Sequence, residues 1–259
     1  MTGQYIDAMW PRALVEASAA LGQRVAQRVP AQCEVCRRWG WARLCPPCRQ
    51  RFGAGRMRCA RCGLATGMAL AECGECLRMP PPFERTVVAF DYAFPWDRII
   101  ARWKFSGQAQ LASALAPALA DAVARDLATR DAAPPDVVVP VPLAPARLAE
   151  RGFNQAWELA RRVARTVGRP ARFDLLARAL DTAHQAELTR AERERNLRAA
   201  FMVPPAARPH LERRRVALVD DVFTTGATAR EAAAALVRGG ASAIELWVLA
   251  RTPAPAARN

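Results

Sequence analysis

VALVDDVFTTGAT, Val216 to Thr228, sets a run of apolar and β-branched residues directly before two adjacent carboxylates. The run Val216, Ala217, Leu218, Val219 reads as a buried parallel strand that ends at Asp220 and Asp221. A turn of small and hydroxylated residues follows: Thr224, Thr225, Gly226, Ala227 and Thr228. An alanine-rich helix is expected next, over about 229–238, with Gly239 and Gly240 as stop signals. Backbone N–H groups at a helix start and the threonine hydroxyls suit an anion, and Gly226 lets the backbone approach it. The carboxylates fall at the carboxyl edge of the sheet, where open α/β folds place ligands. They repel a phosphate but accept hydrogen bonds from ribose hydroxyls. These are the parts of a sugar-phosphate site. The plainer reading, a βα turn in which Asp221 caps the helix, needs one acid and leaves Thr-Thr-Gly-Ala-Thr unexplained.

These residues resemble the signature of the type I phosphoribosyltransferases: a hydrophobic strand, Asp-Asp or Glu-Asp, and a Thr-Thr-Gly-Xaa-Thr-like loop. The resemblance implies an α/β fold, a type I phosphoribosyltransferase-like parallel sheet flanked by helices. It also implies a pocket for phosphoribosyl pyrophosphate (PRPP), with Asp220 and Asp221 on the ribose and residues 224–228 on the 5′-phosphate. Some relatives use the same pocket only to sense PRPP, so a pocket is implied more strongly than a transfer reaction.

A chain of 259 residues accommodates one α/β domain and a small appendage. No apolar run reaches the 18 or more residues of a membrane span. Residues 1–30 carry Trp10, Leu14, Val15, Leu21, Val25 and Val29 on a loosely helical spacing, interrupted by Arg12, Glu16 and Arg24. A packed helix fits this segment better than an export signal, and a cytoplasmic location is expected, as for PRPP itself. The formal charge is +14, from 38 basic and 24 acidic residues. Such a balance suits an anionic partner, nucleic acid or phosphorylated substrate, although an arginine- and alanine-rich coding bias produces the same excess. Lys104 is the sole lysine. Either chance left it, or it stands where only a compact ammonium on a flexible stem serves.

All eight cysteines fall between residues 33 and 76 as four Cys-x-x-Cys knuckles: Cys33/Cys36, Cys45/Cys48, Cys59/Cys62 and Cys73/Cys76. Eight residues separate the first two knuckles and ten the last two, so the region reads as one unit repeated. Such knuckles in a cytosolic protein are thiolate ligands in preference to disulfides, and four sulfurs suit structural Zn²⁺. Sequential pairing predicts two zinc ribbons, Cys33/Cys36 with Cys45/Cys48 and Cys59/Cys62 with Cys73/Cys76. Gly63 follows the leading knuckle of the second unit, and Arg37 stands at the equivalent place in the first. Trp39 and Trp41 lie among Arg37, Arg38, Arg43, Arg49 and Arg51. Two readings of them stand: base stacking on single-stranded nucleic acid, or cover for a small metal site.

Pro80, Pro81 and Pro82 mark an expected domain boundary. Beyond it the pattern gives a strand near 86–90, a helix near 96–104, a longer helix near 110–129 and a strand over 136–141. A proline-broken loop at 140–145 leads to Arg147 and Arg151, then to a helix ending near Val167. Arginines at the mouth of a loop after a sheet strand suit a pyrophosphate. Residues 178–200, rich in arginine around Thr182, His184, Gln185 and Asn196, read as a cover with one short helix from Thr189. His184 and His210 read as surface residues.

Taken together these segments resemble the ComF competence-protein family. The carrying features are the cysteine ribbons, Lys104-Phe105-Ser106-Gly107, PVPL (Pro140 to Leu143), RLAERGFNQA (Arg147 to Ala156), DTAHQAELTRAERERNLRAAF (Asp181 to Phe201) and VALVDDVFTTGAT, in the family's order. The resemblance covers residues 33 to 252. It implies a double zinc ribbon (31–79) and a phosphoribosyltransferase-like domain (83–252), preceded by the helical segment (1–30) expected from its own spacing. Ala144 and Ala146 depart from the polar or basic groups common after PVPL, which leaves Arg147 and Arg151, with Lys104, as the expected anion contacts. The family association implies PRPP with Mg²⁺ as ligand, single-stranded DNA as a weak, non-specific partner, and a role in DNA uptake beside a helicase or channel protein. Three functions remain open at this point. They are a transferase in which Asp220 and Asp221 hold the ribose as C1 gains positive charge, a DNA-binding accessory protein, and a PRPP sensor.

Overall fold

Apolar runs from Arg85 onward form one parallel sheet, as their burial on both faces requires. The computed structural model describes residues 30–53, 55–68, 71–178 and 200–254. The expected helix at 1–30 and the expected cover at 178–200, with His184, fall outside these residues apart from their edges.

The described chain separates into two compact units that part between Arg51 and Phe52. In the first, β1 (Ala31–Gln32) pairs antiparallel with β2 (Trp39–Gly40), and α1 begins at Pro46 (Pro46–Phe52). The second unit holds the remaining cysteines, in and before α2 (Gly74–Arg78), and the sheet. The units therefore part within the cysteine region, well before the prolines at 80–82.

Four strands make the sheet: β3 (Arg85–Asp91), β4 (Val137–Pro140), β7 (Arg215–Phe223) and β8 (Ala243–Arg251). Their order is β3-β8-β7-β4 and every pairing is parallel. A separate two-stranded pair joins β5 (Ala177–Arg178) to β6 (Phe201–Met202). Helices α3 (Trp96–Phe105), α4 (Ala112–Thr129), α5 (Pro145–Arg151), α6 (Gln155–Thr166) and α7 (Ala227–Arg238) accompany the sheet. Helices α4 and α6 pack on each other and on the strands. On the face formed by Val216, Leu218, Ile244, Leu246 and Val248, the alanine-rich α7 buries Ala232, Ala233 and Leu236 in one apolar cluster. Small side chains let this helix approach the sheet closely.

Two expectations need correction. The strand expected to stop at the acid pair runs on through Asp220, Asp221, Val222 and Phe223, because β8 continues to pair with it (Val222 with Ala250, Phe223 with Arg251). On its other side β4 ends at Pro140 opposite Val219. The acids therefore emerge beyond β4 while still held by β8. Secondly, the stretch from the end of the expected loop at 140–145 through Arg147 and Arg151, read as a loop mouth, forms α5. Pro145 occupies its first turn and Gly152 closes it at φ 74°, which are helix start and stop signals.

Candidate functional site

β7 delivers two adjacent carboxylates to opposite faces of one strand. Asp221 is buried, and its Oδ1 lies 2.9 Å from the Lys104 ammonium. Lys104 reaches it from the last turn of α3, where a cation also complements the helix dipole. Trp96, Ile99, Ile100 and Trp103 hold that helix down. The chain's one lysine is thus committed to the acid pair. Asp220 accepts the Asp221 backbone N–H at 2.8 Å. Burial and the Asp221 charge push its carboxyl up to about 7, against the opposing pull of its own backbone hydrogen bond, Lys104 and Arg178. Two like charges this close share the cost of ionisation unevenly.

Past the acids, Gly226 caps α7 at φ 84°. A Cβ there would lie 2.3 Å from Cε2 of Phe223, so both the left-handed backbone and the ring beneath demand glycine. Thr224 and Thr225 are exposed, and the Thr225 hydroxyl accepts from the Ala227 N–H at 3.5 Å. Thr228 is partly buried in the first turn of α7.

The RGFNQ segment packs against the end of α3 on either side of Lys104 in sequence, at Trp103 and Phe105. The Arg151 guanidinium lies 5.1 Å from the centre of the Phe105 ring, and Nη1 donates to the Gln155 Oε1 at 3.3 Å. Trp103 and Phe153 have ring centres 6.4 Å apart. Asn154 caps α6, accepting from the backbone N–H groups of Ala156 and Trp157, and its amide donates to the Val141 carbonyl at 3.1 Å. PVPL and RGFNQ are thereby tied together. Arg147 is exposed on α5, one turn away from Arg151.

The cysteines gather as two groups, Cys33/Cys36/Cys45/Cys48 and Cys59/Cys62/Cys73/Cys76, each with its sulfurs within 4.8 Å of one another. The Sγ atoms of Cys36 and Cys45 are 3.7 Å apart, as are those of Cys62 and Cys73. Ligands at 2.3 Å from a tetrahedral zinc stand about 3.8 Å from each other, so both groups are compatible with one zinc ion each. Four thiolates leave no open position, which is the arrangement of a structural centre. The internal repeat is visible in the backbone. Arg37 N–H donates to Cys33 C=O as Gly63 N–H does to Cys59 C=O, and Cys33 N–H donates to Arg38 C=O as Cys59 N–H does to Leu64 C=O. Arg37 takes φ 62° and Gly63 φ 68°. Glycine is needed only in the second copy, where a Cβ would meet Val88 Cγ2 at 2.5 Å.

Over 230 residues the chain is 36% identical to the DNA utilization protein YhgH of Escherichia coli (strain K12), covering 86% of this chain and 98% of that protein. Over 208 residues it is 33% identical to competence protein F of Haemophilus influenzae, covering 80% and 90% respectively. The chain belongs to the ComF competence-protein family. No protein-family model matches it. Among solved structures it is similar to the glutamine PRPP amidotransferase from B. subtilis (22% identity, TM-score 0.34, covering 50% of this chain and 26% of that one). It is also similar to a purine phosphoribosyltransferase from Pyrococcus horikoshii (18% identity, TM-score 0.30, 64% and 77%).

In this ComF-family chain the structure brings Asp220, Asp221 and Lys104 together and sets Arg151 against Phe105, the residue after Lys104. The sequence reading passed over Arg251 and Phe223. Arg251 ends β8, and its guanidinium stands 4.3 Å from the Phe223 ring centre. The available signal was an arginine closing the apolar run Leu246 to Ala250, next to the acid-bearing strand.

Proposed function

We propose that this ComF-family protein binds PRPP with Mg²⁺ at the carboxyl end of β7, as an accessory to cytoplasmic handling of single-stranded DNA during uptake. Asp220 and Asp221 accept the ribose hydroxyls, and residues 224–228 at the start of α7 take the 5′-phosphate. Lys104, Arg147 and Arg151 supply positive charge for the pyrophosphate, and Mg²⁺ offsets the remaining anionic charge. The observation that carries this reading is the Lys104–Asp221 pair beside a glycine-capped helix start. It gathers acids for hydroxyls and cations for phosphates at one sheet edge. Calorimetry with PRPP and Mg²⁺ tests it. Asp220→Ala with Asp221→Ala removes charged hydrogen bonds worth about 1.5–3 kcal/mol each and should abolish measurable binding with the circular-dichroism spectrum unchanged. Undiminished affinity in that variant would refute the assignment.

For DNA, the supporting observation is the exposure of Trp39 and Trp41, each 70% accessible, beside the exposed Arg37, Arg38 and Arg43. Rings so open are not packed over the sulfurs, which favours base stacking over the covering role. Stacking is worth about 1–3 kcal/mol per base. Trp39→Ala with Trp41→Ala in the full chain should weaken binding of a labelled oligonucleotide at least tenfold in fluorescence anisotropy. PRPP affinity should be retained, and wild-type binding should fall steeply with salt.

A further inference from the structure

We propose that Arg251 is a positioning residue that couples the second cysteine centre to the anion loop, so that sugar-phosphate binding depends on the metal held by Cys59, Cys62, Cys73 and Cys76. The inference deepens the reading of the β7–α7 turn as a PRPP site and rests on it. Arg251 sits at the end of β8, paired laterally with Phe223 of β7 and Asp91 of β3. Its side chain has carbonyl partners on both sides. Nε donates to the Cys62 carbonyl at 3.3 Å. Nη1 donates to the Phe223 and Thr252 carbonyls at 3.0 Å and to the Thr224 carbonyl. One guanidinium therefore holds the backbone of a metal-ligand knuckle and the first residue of the anion loop.

The contacts around it leave little slack. The Phe223 ring has the Arg251 guanidinium 4.3 Å from its centre and contacts the backbone of Gly226 so closely that no Cβ fits. Phe83 meets the same ring edge-on, with ring centres 6.0 Å apart. The Phe83 carbonyl accepts from Arg61, the residue before Cys62, at 3.2 Å. The knuckle is pinned to β3 by the Thr86 N–H and hydroxyl, which donate to the Ala60 and Arg61 carbonyls. A second strap runs from α7, where Arg230 donates to the carbonyl of Met79, just past α2. All four cysteines share one buried cluster with Phe83, Phe223 and Ala229. Four thiols without a metal have no covalent reason to stay gathered. Displacing Cys62 removes a guanidinium anchor, and Phe223 and Thr224 then lose their fixed position under the turn.

Arg251→Lys separates this coupling from bulk folding. An ammonium keeps the charge but cannot span the Cys62 carbonyl and the loop carbonyls as the planar fork does. The full-length variant is expected to retain two zinc ions by metal analysis and to exchange the amides of residues 223–228 faster than wild type by hydrogen–deuterium mass spectrometry. It should also bind PRPP with Mg²⁺ at least tenfold more weakly. Cys76→Ser should show the same loop exchange and the same loss of affinity, and Cys36→Ser, which damages only the first centre, should show neither. Unchanged exchange and affinity in Arg251→Lys would overturn the coupling, as would equal losses from Cys36→Ser and Cys76→Ser. If the wild type binds no PRPP, the ligand assignment falls and loop exchange alone decides the coupling.

Discussion

Asp220 is an acid whose charge state the fold alters. Its carboxyl is pushed up to about 7, whereas an unfolded chain would ionise it near 4. Between those values the native state retains a proton that the unfolded state has released, so stability falls as pH rises from about 4 to about 7 and stays lowered above that. Asp220→Asn removes this dependence. Its thermal midpoint should match wild type near pH 4, exceed it increasingly up to about pH 7 and keep a constant lead above that, as read by calorimetric melts from about pH 4 to 8. Ligand binding should run the other way. A carboxylate accepts ribose hydroxyls in its ionised form, so wild-type affinity for PRPP should rise through pH 7 by more than that of Asp220→Asn.

Among the elements, α6 shows how a side chain at a helix end serves the site. Asn154 satisfies two first-turn N–H groups and holds the Val141 carbonyl of the PVPL segment. Replacing an N-cap asparagine by alanine costs about 1 kcal/mol, and stranding Val141 adds to that. Asn154→Ala should therefore lower stability by about 1–2 kcal/mol in urea denaturation and weaken PRPP binding through the displaced Arg151. The helix is expected from the sequence, ending near Val167, whereas its cap at Asn154 emerges only in the structure. The short helix before it is hidden in the sequence, although Pro145 and Gly152 mark its start and stop. Proline-rich spacing around 140–145 pointed to an open loop, and seven residues carry too few apolar positions to reveal a helical period. The length of β7 was hidden for a different reason. Local sequence marks the acids as a strand end, but pairing with β8 carries the strand two residues past them.

On the scale of the whole molecule, a buried carboxylate at the opposite end of the sheet gathers an ionic network of its own. Glu245, 4% exposed, receives Arg130, Arg215 and the Trp247 indole N–H, and Arg130 continues to Asp126 and Arg85. Without the Glu245 charge, Arg130 keeps Asp126 and Arg215 keeps solvent, so the cost is that of weakened charged hydrogen bonds, about 1.5–3 kcal/mol. Glu245→Gln should lower the chemical-denaturation stability by an amount in that range, with PRPP affinity per folded molecule unchanged because the network lies away from the acid pair along β7 and β8. What the sequence determined alone is what short-range chemistry encodes: four cysteine knuckles paired in order, an apolar strand into two acids, a glycine at the start of a helix, and a single lysine worth singling out. Tertiary structure decided which distant groups meet. Lys104 finds Asp221, Arg251 bridges to Cys62 across 189 positions of chain, and the second cysteine group packs into the unit that carries the sheet. Such contacts depend on strand order and on which face each helix covers. The physical reason is that a guanidinium or an ammonium looks the same in sequence whether solvated or buried, and only packing supplies its partner.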